Sequence, residues 1–167
     1  IVEDAEDLQY FNVTAEMRDN NICRTGYVYL KNDIVAEEAL AHPGVRVDGY
    51  STSCTFGFAG VLDGQGHKIN GLYYNGNAVN IALFTSTTAA TTIENIVFTD
   101  GGSGSGDAEE CAVYADDLTL TIKNSEFNNF DGGAVIFSSA FDTHSLKIEH
   151  SSFSNNSTTD DGGAISV

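Results

Sequence analysis

Apolar and polar positions alternate in short bursts along this chain, and the bursts repeat. Thr92-Ile-Glu-Asn-Ile-Val-Phe98, Thr121-Ile-Lys-Asn-Ser-Glu-Phe127 and Lys147-Ile-Glu-His-Ser-Ser-Phe153 share one pattern, and Lys68-Ile-Asn-Gly-Leu-Tyr-Tyr74 supplies a fourth. The anchoring isoleucines Ile69, Ile93, Ile122 and Ile148 are spaced by 24, 29 and 26 residues. Five positions after each stands an aromatic residue: Tyr74, Phe98, Phe127 and Phe153. A period of this length, with β-branched anchors and no helical periodicity between them, predicts a solenoid of short strands. One turn cannot bury its own apolar face. Stacking at the inter-strand spacing of about 4.8 Å sets isoleucine over isoleucine and aromatic over aromatic, making one continuous core.

The polar positions inside the repeat carry a second expectation. Asn95, Asn124 and His150 fall two places after their anchors and predict a polar ladder at a bend, where stacked amides hydrogen-bond along the column. Glycine pairs follow three of the four repeats, at Gly101-Gly102, Gly132-Gly133 and Gly162-Gly163. The stretch Asp63-Gly64-Gln65-Gly66-His67 reads as a corner of the same coil, its two glycines supplying the positive φ of a tight turn.

Outside the repeats the pattern changes. Asp4-Ala-Glu-Asp7 sets a capping residue three places before a carboxylate, and Leu8, Phe11 and Ala15 share one helical face. Tyr27 to Ile34 alternates as a strand does. Residues 1–55 are therefore expected to form an N-terminal cap, a short helix plus a strand and loop, and residues 56–167 the coils. The last segment, Gly162-Gly-Ala-Ile-Ser-Val167, reads as mid-rung and apolar with no cap of its own. An uncovered solenoid end exposes strand edges, so the expectation is further rungs in a larger parent chain or self-association through that end, head to tail.

Composition narrows the function classes. The 24 acidic residues against 7 basic give a net charge of −17, a surface that repels nucleic acid and anionic membranes. No apolar run approaches the roughly 18 residues that span a bilayer, so membrane insertion is not expected. The chain opens on Ile1 with no leader pattern, which reads as a processed mature protein or an excised domain. Of the three cysteines, Cys23 and Cys54 flank the cap strand and loop. Their disulfide would tie the cap to the first coil by about 3–4 kcal/mol, the alternative being two unpaired thiols, and Cys111 is left over. Sequons at Asn12, Asn155 and Asn156 are compatible with a secreted or cell-surface protein.

The residues that carry a family likeness are EDAEDLQYF, GYVYLKNDI, FAGVLDGQGHKINGLYY and IALFTSTTAATTIENIVF. Over about Glu3 to Phe98 they resemble the start of right-handed parallel β-helix domains of bacterial and archaeal surface proteins. The last third is similar to the repeats of chlamydial-type polymorphic membrane proteins, in Gly132-Gly-Ala-Val135, Gly162-Gly-Ala-Ile165 and Phe153-Ser-Asn-Asn156. Phe127-Asn-Asn-Phe130 departs from that second motif. The resemblance implies an all-β, right-handed parallel β-helix with a role in adhesion or surface architecture, and a glycan or protein receptor as partner.

Candidate chemistry is thin. A glycosidase needs two carboxylates facing each other, whereas Glu109-Glu110, Asp116-Asp117 and Asp160-Asp161 fall in polar loops at non-equivalent places. Each histidine is isolated, and no catalytic residue is named. A polysaccharide lyase or hydrolase stays as the remote alternative, since β-helices also house such enzymes. The ligand expectation is calcium, at Asp100, Asp107, Glu109 and Glu110 on a glycine-rich loop that offers several oxygens.

Overall fold

The computed structural model describes residues 1–11, 23–36, 57–72, 84–87, 90–101, 111–116, 119–138, 145–158 and 162–167. Strands β1 (Cys23–Tyr29), β3 (Gly57–Asp63), β6 (Thr91–Glu94), β9 (Thr119–Lys123) and β12 (Ser145–Glu149) form a first sheet in that order. A second sheet runs β2 (Ile34–Val35), β4 (Lys68–Asn70), β7 (Val97–Thr99), β10 (Glu126–Asn128) and β13 (Ser152–Ser154). The third holds β5 (Phe84–Thr87), β8 (Val113–Asp116), β11 (Val135–Ser138) and β14 (Ile165–Ser166). Every pairing is parallel. From β3 onward the chain visits the three sheets in fixed cyclic order, so each circuit is one rung of a stack.

Register follows side-chain alternation. In β9 the apolar Leu120 and Ile122 point inward while Thr119, Thr121 and Lys123 stay half-exposed. A one-residue slip would put the apolar set in water, which fixes the pairing. The inward column of the first sheet is Val28, Leu62, Ile93, Ile122 and Ile148. In the second sheet it is Ile34, Ile69, Phe98, Phe127 and Phe153. The three phenylalanines stack with ring centroids 5.0 Å apart at both steps and interplanar angles of 20° and 5°, within the favourable range for aromatic pairs.

This register corrects the repeat alignment at one place. Ile69 does not stand over Ile93; Leu62 does, and Ile69 stands in the aromatic column, between Ile34 and Phe98. Leu62 and Ile69 are seven residues apart where Ile93 and Phe98 are five, so the Asp63–His67 corner is two residues longer than its successors. Tyr74, expected in the aromatic column, lies outside the described residues.

The α-helical cap expected near the N-terminus is not present among the described residues. Its place is taken by a six-residue 3-10 helix, Glu6–Phe11. The Asp4 carboxylate accepts from the Glu6 and Asp7 amides at 2.9 and 3.1 Å, and Asp7 reaches back to the Glu3 amide at 2.8 Å. These local bonds satisfy the donors of one turn, as a cap does. Leu8 is fully buried, and Val2 bridges Leu30 to extend the first rung. No helix among the described residues is long and apolar enough to cross a membrane.

Candidate functional site

The chemistry of the stack is concentrated at two polar corners. At the first, between the first and second sheets, Asn95, Asn124 and His150 hold φ of 54°, 50° and 48°. Left-handed backbone costs most side chains 1–2 kcal/mol, and asparagine tolerates it better than most because its short amide bonds locally. The bend residue's own amide keeps the inter-rung ladder unbroken: Asn95 N donates to Lys123 O at 3.1 Å and Asn124 N to Glu149 O at 3.0 Å. The side-chain amides point along the stack. Asn124 Nδ2 donates to Asn95 Oδ1 at 3.2 Å, and Asn95 Nδ2 to Asp63 Oδ1 at 3.1 Å. His150 occupies the next corner position, exposed.

Asp63 ends that ladder. It is 4 % exposed and also accepts from the Gln65 amide at 2.9 Å, from the Gln65 side chain and from the Tyr27 hydroxyl. Burial pushes its carboxyl up, but the bonds from Tyr27, Gln65 and Asn95 outweigh that and hold it below the ordinary aspartate value. The Tyr27 hydroxyl is pushed up by donating to the same carboxylate. Asp63 thus joins three successive rungs.

The turn around it differs from expectation in one respect. Gln65 (φ 54°) and Gly66 (φ 86°) take the left-handed positions, and Gly64 does not. Gly64 is needed for approach: a Cβ there would fall onto the Asn95 carbonyl oxygen and lie 2.6 Å from Ile96 Cα. At the far side of this corner His67 Nδ1 meets Asp33 Oδ1 at 3.1 Å, and Lys68 N donates to the same oxygen at 3.2 Å.

The second corner, between the second and third sheets, carries a ladder the sequence reasoning missed. Asp100, Asn129 and Asn155 have φ of 56°, 61° and 53°. Asn155 Nδ2 donates to Asn129 Oδ1 at 3.3 Å and Asn129 Nδ2 to Asp100 Oδ1 at 2.8 Å. Asp100 Oδ2 accepts from Asn70 Nδ2 and from Thr99 Oγ1, both at 2.9 Å. The Asn129 bond and then the Thr99 bond hold the Asp100 carboxyl below its usual range. A signal was available: Asp100, Asn129 and Asn155 each lie five residues after a member of the first ladder.

These contacts bear on each expected site. Both Asp100 oxygens accept from hydrogen-bond donors, whereas calcium needs oxygens turned toward it. Asp107, Glu109 and Glu110 lie outside the described residues. Among the described residues no three His, Cys, Asp or Glu side chains gather as metal ligands. Cys23 lies in β1, and its expected partner Cys54 is outside the described residues. Cys111 is buried, its thiol donating to the Val113 carbonyl at 3.1 Å. Asn12 lies outside the described residues. Asn155 is an exposed ladder member. Asn156 holds the backbone at the turn, donating to Phe127 O and accepting from Phe130 N, each at 2.9 Å.

Two outward carboxylates of the first sheet, Glu94 and Glu149, are paired with lysines. Lys123 Nζ sits 2.6 Å from Glu94 Oε2, and Glu94 raises the Lys123 pKa. Lys147 meets Glu149 at 3.1 Å. An open cleft of about 580 Å³ lies against the last two rungs, beside Asn124, Glu126, Ile148 and His150. Among the described residues it brings one carboxylate and one imidazole to the same concavity, where glycoside hydrolysis uses two carboxylates.

No family model, curated protein or solved structure matches the chain.

Proposed function

We propose that this chain is a right-handed parallel β-helix serving as a non-catalytic structural or adhesive element, secreted or on the cell surface, and joined to other molecules through its C-terminal end. The winding is assigned right-handed because parallel crossovers of β-strands take that hand in about 98% of cases. The observation that carries the functional reading is how the polar groups are used. Asp63 and Asp100, the carboxylates at the two corners, are engaged by donors of neighbouring rungs and serve as terminators of structural ladders. The last rung offers a surface for such a joint, whether to further rungs of a larger parent chain or to another molecule. Leu146, Ile148, Phe153 and Ile165 pack against the core there yet remain partly exposed.

A second reading is favoured by the N-terminal end. Val2 and Leu8 are buried there, as the start of a longer adhesin would require, with glycan or protein contacts made further along. Calcium at the Asp100–Glu110 loop belongs to either reading as a proposal.

Negative-stain microscopy of the purified chain, in calcium and then in EDTA, tests the assembly reading. Defined multimers or fibres are expected, and their loss in EDTA would place calcium at the joint. Isolated short rods in both conditions would overturn self-assembly and leave the adhesin reading. Turnover of a polysaccharide substrate would overturn the non-catalytic reading.

A further inference from the structure

Two overlapping sequons, Asn155-Asn156-Ser157 and Asn156-Ser157-Thr158, follow β13 through the second corner, and the fold treats their two asparagines differently. Asn155 is the corner residue, at φ 53° and exposed. Its Nδ2 donates one hydrogen to Asn129 Oδ1 at 3.3 Å and makes no other bond among the described residues, which leaves its second hydrogen free. Asn156 is turned back along the stack. Its Nδ2 donates to Phe127 O and its Oδ1 accepts from Phe130 N, each at 2.9 Å, so both ends of its amide brace the turn of the preceding rung.

This difference belongs to the two columns and not to their last members. Asn129 has a rung on either side and is exposed all the same, as is Asp100 one rung earlier. The next column behaves in the opposite way. The Asp131–Ser157 bridge sets Asn156 over Phe130, which is 1 % exposed, and a Cβ on Gly101 would fall onto the Phe130 ring. Further rungs would leave Asn155 at the surface and bury Asn156 more deeply.

We propose that Asn155 is an N-glycosylation site and that Asn156, with an equally complete sequon, is not. The inference rests on the secreted or cell-surface reading above and adds a modification to it. In the transfer, Asn155 Nδ2 attacks the anomeric carbon of an oligosaccharide carried on a lipid pyrophosphate. The C–N bond forms as the C–O bond to the pyrophosphate breaks, the lipid pyrophosphate leaves and the amide gives up one proton. Ser157 supplies the hydroxyl that the sequon requires, and it is exposed. One N–H stays on Asn155 Nδ2, enough for the bond to Asn129, so sugar and corner ladder coexist. On Asn156 the same bulky group would be driven into the contact between rungs. A glycan at Asn155 also reserves the second corner for solvent in any assembly.

The test is to send the whole chain through the secretory route of a eukaryotic cell behind a cleavable leader. Circular dichroism checks the fold of the protein recovered from the medium. Peptide mass spectrometry then maps its sugars, after an amidase that converts each carrier asparagine to aspartate. Sugar at Asn155 and none at Asn156 is the expected result. Ser157→Ala abolishes the first sequon and keeps the second, and it alters an exposed side chain that makes no bond among the described residues. That variant is expected to lose the Asn155 sugar without gaining one at Asn156. A folded chain in the medium that is bare at Asn155, or that carries sugar at Asn156 in either form, would overturn the site and leave the secreted reading standing. A chain that never emerges folded would overturn both.

Discussion

The two corner ladders have the same parts in different surroundings. Each is a column of left-handed residues in which a side-chain amide donates toward the N-terminal rung, and each ends on an aspartate. Asp63 is nearly inaccessible and takes a tyrosine hydroxyl from the first rung, whereas Asp100 is exposed to water. A donor that loses its acceptor in the interior keeps its desolvation penalty, while at the surface water replaces the acceptor. The same arrangement should therefore be structural at the first corner and nearly dispensable at the second.

Removing the two carboxylates tests the contrast most strongly. Asp63→Ala removes the buried acceptor shared by Tyr27, Gln65 and Asn95; the Tyr27 and Gln65 side chains reach solvent, so the expected loss is about 1–2 kcal/mol, carried by the half-buried Asn95 amide and the Gln65 backbone amide. Asp100→Ala is expected to cost under about 1 kcal/mol, because its donors reach solvent. Urea unfolding of both variants measures the gap. Equal losses would show that burial is not what separates the corners.

Acid titration separates them by another route. Asp63 and Asp100 both have folded pKa values below that of the free side chain. Their stabilisation is fully present above the unfolded value near 3.8 and is lost as pH falls through the folded value. Asp33 is lowered as well, by the Lys68 amide and then His67, so it titrates in the same window. Asp63→Asn should flatten the acid limb of a stability–pH curve more than Asp100→Asn. The reverse order would place the sensitive carboxylate at the exposed corner.

Glycine substitutions isolate the amide ladder from the backbone. Asn95→Gly keeps the left-handed conformation accessible and deletes one donor and one acceptor, at an expected cost of about 1 kcal/mol. Asn129→Gly should cost less, and thermal unfolding of the pair ranks them. The smallest effect is expected at the open end of the first ladder. His150→Asn puts an amide where φ is already 48° and can donate to Asn124, for a gain of about 0.5 kcal/mol. Loss of stability there would mean that the imidazole has a role the ladder does not explain.

How much of this was readable beforehand varies by element. Phe98, Phe127 and Phe153 were legible as a stack because identical spacing from anchor to aromatic leaves one register. Asn95 and Asn124 were legible for the same reason. Ile69 was misplaced because Lys68-Ile69 looks like the other anchors locally, and only pairing shows the corner before it to be two residues longer. Leu8 and Phe11 suggested an α-helical face, yet only a 3-10 turn is found in the described residues. Short-range periodicity cannot tell one turn from three when local carboxylates cap both.

The sequence by itself determined the all-β rung, its period and the side chains that alternate inward, because these depend on local pattern repeated at near-constant spacing. Only the tertiary structure decided which rung stands over which. It made Gly64 a point of close approach and Asp63 an anchor for three rungs. Those properties come from neighbours about 30 residues apart in sequence and one strand spacing apart in space, distances at which a local pattern carries no information.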